Sequence, residues 1–230
     1  MTGELPPGFD VVEETVAVGA HRFVVMRPRS ADELIDEDDY AVDERLPYWA
    51  DLWPSGRVLA EWLAGRSLSG ARVVELGCGL GIPSFVAAAA GASVLATDWY
   101  EPALGFVRWN ARRSDLDVPT MLVDWRAPGE QLLSAAPFDL VVAADVLYEA
   151  RNVAPLRALL PVLTGSRGEV VLADPRRPDA QALLDGLARD GWSCATTDVA
   201  YAGRRDESGP VVKLHRLAPP RMGPDCPTFG

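Results

Sequence analysis

The chain has 230 residues, with 33 acidic against 22 basic for a formal charge of −11, and 48% of it is apolar and 24% charged. That length suits one domain with a sizeable core, and the charged fraction excludes a membrane bundle. A surface this acidic repels phosphate backbones, so nucleic acid is not an expected partner.

Three cysteines, Cys78, Cys194 and Cys226, form an odd set without paired spacing. This argues against a disulfide framework and a structural zinc, and it fits a reducing, cytoplasmic setting. The longest apolar run, Ile82 to Ala90, is far shorter than the ~20 residues needed to cross a bilayer. The first ten residues lack the basic start and apolar run of a signal peptide. The basic pairs Arg112-Arg113, Arg176-Arg177 and Arg204-Arg205 read as solvated helix ends or loops. His21 and His215 stand alone in strand-like runs, and no metal site is expected.

In chain order, Val11 to Val18 and His21 to Arg27 are β-rich runs divided by Gly19-Ala20, the spacing of a hairpin. Ser30 to Glu44 is strongly acidic, with Asp36, Glu37, Asp38 and Asp39 consecutive, and reads as a solvated loop or frayed helix. From Ala71 the pattern becomes short apolar runs alternating with helical segments. Strands are predicted at Arg72 to Leu76, Ser93 to Thr97, Pro119 to Val123, Phe138 to Ala144 and Glu169 to Ala173. Helices fall between them at Ile82 to Ala90, Glu101 to Arg113 and Asn152 to Leu163, and after them at Asp179 to Arg189. Strands near Trp192 to Val199 and Val211 to Leu217, joined by the polar loop Gly203 to Pro210, close the domain. Strand-helix alternation with nearly continuous apolar strands predicts an α/β fold, a parallel sheet covered on both faces. The last two strands have no helix between them and should pair antiparallel at or near one edge.

The most informative stretch is Val73-Val74-Glu75-Leu76-Gly77-Cys78-Gly79-Leu80-Gly81, where the first core strand turns into a helix. Open α/β sheets bind ligands there, and glycines let the backbone approach them closely. Nicotinamide and flavin proteins share such glycines, but Ile82 stands where a dinucleotide fingerprint places its third glycine. Glu75 precedes the first glycine by two positions, and a carboxylate there suits an ammonium better than a pyrophosphate. S-adenosylmethionine carries an amine and no phosphate. Asp98 ends the second strand ~20 residues on, the distance at which a carboxylate accepts from ribose hydroxyls.

Asp124 and Trp125 follow the third strand, where an adenine would lie; Asp124 could accept from its amino group, and Trp125 could cover the ring face. An ordinary core role for Trp125 stays open. Asp145 and Tyr148 end the fourth strand, and on the first turn of a helix they would face one side, towards the donated methyl. Capping of that helix by Asp145 is the alternative.

With these residues in place the chain resembles the class I methyltransferases. More narrowly, it resembles the protein-lysine methyltransferases with an acid-x-x-Tyr motif after strand four. The matching residues are Trp53-Pro54-Ser55-Gly56, Glu75 to Gly81, Asp124-Trp125 and Asp145-Val146-Leu147-Tyr148. Pro47-Tyr48-Trp49-Ala50 and Asp174-Pro175-Arg176-Arg177-Pro178 look most like the branch that methylates the electron-transfer flavoprotein β subunit. That branch has glycine before the second arginine and a less aromatic segment than Asp98-Trp99-Tyr100.

The resemblance implies a doubly wound, Rossmann-like sheet of seven strands, mostly parallel with an antiparallel C-terminal strand, behind a short N-terminal β-hairpin. Residues 1–46 are then an extension carrying the hairpin and acidic loop, 47–218 the methyltransferase domain and 219–230 a flexible tail. It also implies that Trp53, Gly77 to Gly79, Asp98, Trp125 and Ala144 touch the cofactor, and that Asp145 and Tyr148 shape the acceptor pocket. Together with the residues read from the motifs, the expected cofactor-binding set is Trp53, Glu75, Gly77, Cys78, Gly79, Gly81, Asp98, Trp99, Asp124, Trp125 and Ala144. The catalytic pair is Asp145 and Tyr148. The expected activity is in-line methyl transfer to a protein lysine by a monomer or weak homo-oligomer. A small-molecule amine or hydroxyl acceptor, a non-catalytic binding module and a nicotinamide dehydrogenase stay open.

Overall fold

The computed structural model describes residues 5–31, 34, 47–201 and 211–220. Most of the acidic segment 30–44, the loop 203–210 with Arg204 and Arg205, and residues 221–230 of the expected tail lie outside the described residues.

β1 (Val11–Val18) and β2 (His21–Pro28) pair antiparallel through the turn at Gly19 as a separate two-stranded sheet. The main sheet comprises β3 (Arg72–Leu76), β4 (Ser93–Asp98), β5 (Thr120–Leu122), β6 (Leu140–Ala144), β7 (Glu169–Asp174), β8 (Ser193–Ala200) and β9 (Val211–Ala218). Their spatial order is β5-β4-β3-β6-β7-β9-β8, with β3 to β7 parallel. β9 runs antiparallel to both β7 and β8, so the terminal hairpin forms the edge that the missing helix predicts.

The helices are α1 (Pro54–Ala64), α2 (Ile82–Ala89), α3 (Glu101–Arg113), α4 (Gly129–Ala135), α5 (Val153–Thr164) and α6 (Ala180–Arg189). The sequence reading identifies neither α1 nor α4. Proline and glycine among the first residues of α1 dilute the helical pattern, although proline is well suited to a first turn. α4 has only seven residues, too few for an apolar period to register.

Alternation along the strands divides the interior. Val73, Val142 and Val171 point to one face, where they pack with Leu59 and Leu63 of α1, Phe85 of α2 and Val107 of α3. Val74, Val141 and Val170 point to the other, against Leu156, Leu160 and Leu163 of α5 and Leu183 of α6. Each such fully buried side chain contributes roughly 1.5–3 kcal/mol relative to exposure. The hairpin joins the first face through Val16, Val18, Phe23 and Val25. Strand order reverses between β3 and β6, so the loops after these two strands part and leave a crevice.

Candidate active site

A crevice of about 1300 Å³, including its open mouth, lies over the ends of β3, β4 and β6. Its floor is the turn from β3 into α2. Gly77, Gly79 and Gly81 have φ of +66°, +50° and +75°, backbone that L side chains rarely adopt. Space is tight there as well. A Cβ on Gly77 would lie 3.1 Å from Val146 and 3.3 Å from the Trp125 ring, and one on Gly79 would lie 3.2 Å from the Trp49 carbonyl oxygen. The Cys78 N–H donates to the Thr97 carbonyl at 2.9 Å, which ties the turn to β4.

Asp98, at the end of β4, stabilises the same turn. One carboxylate oxygen accepts from the Gly79 N–H at 2.8 Å and the other from the Tyr100 N–H at 2.9 Å. Burial raises its pKa, and these N–H donors work against that shift. Glu75 is 2% exposed and accepts from the Ser84 N–H at 2.9 Å and from the Ser84 hydroxyl. Burial pushes its pKa up to about 8, only partly offset by Ser84. Burial also holds the Cys78 thiol well above its ordinary range, so Cys78 lines the crevice as an apolar, protonated group.

The opposite wall departs from expectation. Asp145 to Tyr148 is an irregular bend, and helical structure resumes only with the short 3-10 turn Ala150–Asn152 before α5. The reason is local. Asp145 has φ +57°, and its N–H donates to the Ala173 carbonyl at 2.9 Å, which holds the bend against β7. Asp145 therefore caps no helix.

Arg177 meets this carboxylate, with Nε donating to one oxygen at 2.7 Å and Nη2 to the other at 3.1 Å. The pair Arg176-Arg177 is thus not simply a solvated loop. Asp174 shapes that loop by accepting from the Arg176 and Arg177 N–H groups, and burial raises its pKa despite them. The hydrogen bond to Asp145 raises the pKa of Arg177, which stays charged.

The rim is aromatic. Trp53 donates from Nε1 to the Tyr48 carbonyl at 2.7 Å, and the Tyr48 ring meets Trp53 edge-on at 5.8 Å and Tyr148 at 5.3 Å. Across the mouth, Arg126 brackets the Asp124 carboxylate at 2.9–3.1 Å and lies over Trp99 at 5.1 Å.

All the residues expected to bind the cofactor line this one crevice, as do Asp145 and Tyr148. Arg177, Tyr48, Asp51 and Arg126 line it too, and sequence reasoning assigned them no role. Nothing in the linear pattern of Asp174 to Pro178 pairs Arg177 with Asp145. The residues fit S-adenosylmethionine: three glycines bring bare backbone to the crevice floor, and the buried carboxylates of Glu75 and Asp98 line it, as a nucleoside with an amino-acid tail and no phosphate requires. Among the described residues, no group of three or more His, Cys, Asp or Glu side chains is placed to hold a metal, and no helix is long and apolar enough to cross a membrane.

Comparison with known proteins gives the family and the fold. The family model described as lysine methyltransferase matches residues 47–184. The electron transfer flavoprotein beta subunit lysine methyltransferase of Xenopus laevis is 31% identical over 135 residues, 57% of this chain and 53% of that protein. The histone-arginine methyltransferase METTL23 of the same organism is 31% identical over 110 residues, 46% of this chain and 47% of that protein. The chain thus spans about half the length of the curated relatives it matches. Among solved structures, magnesium protoporphyrin IX methyltransferase from Synechocystis PCC 6803 superposes with a TM-score of 0.57 at 21% identity, covering 72% of this chain and 80% of that one. At that identity the likeness is one of fold.

Proposed function

The chain belongs to the lysine methyltransferase family, and from that premise we propose that it uses S-adenosylmethionine to methylate the side-chain amine of a lysine in a protein substrate. The observation that carries this reading is the glycine turn held by Asp98 at the β3–β6 switch point, beside the buried carboxylate of Glu75. In this reading Gly77, Cys78, Gly79 and Gly81 pass under the donor's amino-acid portion, with Glu75 nearby for its ammonium. Asp98 and Trp99 take the ribose side, Asp124 and Trp125 border the adenine, and Trp53 and Ala144 flank the reacting end.

When bound, the donor supplies an electrophilic methyl group on a sulfonium, which a nucleophile takes in line to leave a thioether. The chain's own contribution is positioning. A lysine amine, ordinarily protonated with a pKa of about 10.4, reacts only when neutral. A partly desolvated channel walled by Tyr148 and Asp145 lowers that barrier.

One relative's name gives arginine as its acceptor and another's gives lysine. The lysine reading is favoured because Arg177 already occupies both oxygens of Asp145, where a guanidinium acceptor would bind. The reduced state expected of the cysteines supports a cytoplasmic setting.

The test is to incubate the purified protein with methyl-labelled donor and a lysate of its source organism. A labelled protein whose digest carries the label on lysine is the expected result. Label confined to small metabolites, or found on arginine, contradicts the proposal.

A further inference from the structure

We propose that Asp51, on the crevice rim, receives the acceptor's ammonium group; this rests on the methyltransferase reading of the same crevice. Among the described residues, six carboxylates and four arginines line the crevice. Glu75 and Asp98 lie deep and are held by the N–H and O–H donors of Ser84, Gly79 and Tyr100. Asp124, Asp145 and Glu149 each face an arginine of their own: Arg126, Arg177 and Arg151. The remaining crevice arginine, Arg57, turns away to Glu14 at 3.0 Å.

Asp51 is different. It lines the crevice half-buried, and its carboxylate has no hydrogen bond or ion pair to any described residue. It is therefore the one uncompensated carboxylate of the crevice among the described residues, and it invites a cation.

Its neighbours favour an organic cation. Asp51 lies between Tyr48 and Trp53 in the segment that crosses the mouth, and its N–H donates back to the Tyr48 carbonyl at 3.5 Å. The Tyr48 ring meets Trp53 edge to face at 5.8 Å and Tyr148 at 5.3 Å. Aromatic rings beside a free carboxylate suit an alkylammonium, which gains cation–π attraction as well as charge pairing. Asp145 cannot fill this role while Arg177 holds both of its oxygens.

The chemistry balances. The ammonium first loses one proton to solvent at the open rim. The neutral nitrogen then forms its bond to the methyl carbon as the carbon–sulfur bond breaks and its electron pair stays on sulfur. The product is a methylammonium, again a cation opposite Asp51.

The experiment loads the full chain with adenosylhomocysteine and titrates it with n-butylamine as a lysine side-chain probe. Tryptophan fluorescence reports binding, and n-butanol serves as the uncharged control. The wild type should respond saturably to the amine and at least about ten-fold more weakly to the alcohol. Asp51→Asn should weaken amine binding about ten-fold, and Asp51→Glu should recover most of it, with adenosylhomocysteine affinity changed less than about three-fold in both.

The proposal is overturned if Asp51→Asn binds the amine as the wild type does, or if the alcohol binds equally. Parallel loss of adenosylhomocysteine affinity would also overturn it, by assigning Asp51 to the donor's own ammonium. Adenosylhomocysteine binding without a saturable amine response removes the role of Asp51 and leaves the donor site standing. Failure to bind adenosylhomocysteine removes both.

Discussion

Arg177 and Asp145 lie on different loops, after β7 and after β6, and are joined by a two-pronged ion pair with hydrogen bonds of 2.7 and 3.1 Å. The Asp145 side chain is 8% exposed and that of Arg177 36%, so the two are unequally dependent on each other. Arg177→Ala strands a nearly buried carboxylate, whereas Asp145→Asn leaves a guanidinium that still reaches water. Arg177→Ala should therefore cost about 2 kcal/mol, discounted for the exposed arginine, and lower the Tm by roughly 5 °C. Asp145→Asn should cost clearly less. Thermal unfolding of the two variants checks the order, and an equal loss for both would contradict this asymmetry.

Arg176 carries a conformational strain that its neighbour does not. Its φ is +73°, in the left-handed region that favours glycine. Its contact with Asp198, at 3.9 Å between side chains more than half exposed, contributes little in return. Arg176→Gly should raise stability by roughly 0.5–1 kcal/mol, the relieved strain less the extra entropy glycine gives the unfolded chain. A denaturant midpoint that falls would show that the side chain stabilises the loop by other contacts.

The floor of the crevice is equally intolerant of a methyl group, but there the loss is of binding. Gly77→Ala places a Cβ 3.1 Å from Val146 and 3.3 Å from Trp125 on backbone with φ +66°. Val146 and the Trp125 ring, both of which line the crevice, must give way or the turn must shift. Adenosylhomocysteine affinity should fall at least ten-fold, about 1.4 kcal/mol, as read by calorimetry. Unchanged affinity would place the ligand away from this turn.

Glu75 gives the chain a pH dependence of defined sign. Its folded pKa of about 8 stands above the ordinary 4.5, so the folded protein keeps a proton that the unfolded chain releases in between. The associated stability is complete below about pH 4.5 and is lost as pH rises towards 8, by at most about 1.4 kcal/mol per pH unit. Glu75→Gln should flatten the fall in Tm across that window. A bound ammonium favours the ionised carboxylate, so donor binding near neutrality should release protons and tighten as pH approaches 8. Calorimetry in buffers of different ionisation enthalpy reads that release, and its absence would separate Glu75 from the ligand's amine.

How much of this could be read from residues alone follows from how local each feature is. The glycine turn, Asp98 and the strand-helix alternation are patterns within short windows, and each lies where its pattern places it. The antiparallel edge was legible because one connection lacks a helix. α1 was not, because Pro54 and Gly56 break the apolar period at its start, although Val58, Leu59 and Leu63 supply its buried face. The Asp145 bend and its bond to Arg177 were also hidden: a positive φ at an aspartate has no compositional mark, and the pairing spans 32 residues and two loops. Asp51 was invisible for the opposite reason. Its distinction is the lack of a partner among the described residues, which appears only when every other crevice carboxylate is seen to have one.

The most direct test of the central claim is a calorimetric titration of the wild type and of Asp98→Ala with adenosylhomocysteine, and of the wild type with NADH. The account predicts a single adenosylhomocysteine site in the wild type, much weakened when the Asp98 hold on Gly79 and Tyr100 is removed, and no heat from NADH. A wild type that ignores adenosylhomocysteine, or that binds the dinucleotide instead, would contradict it.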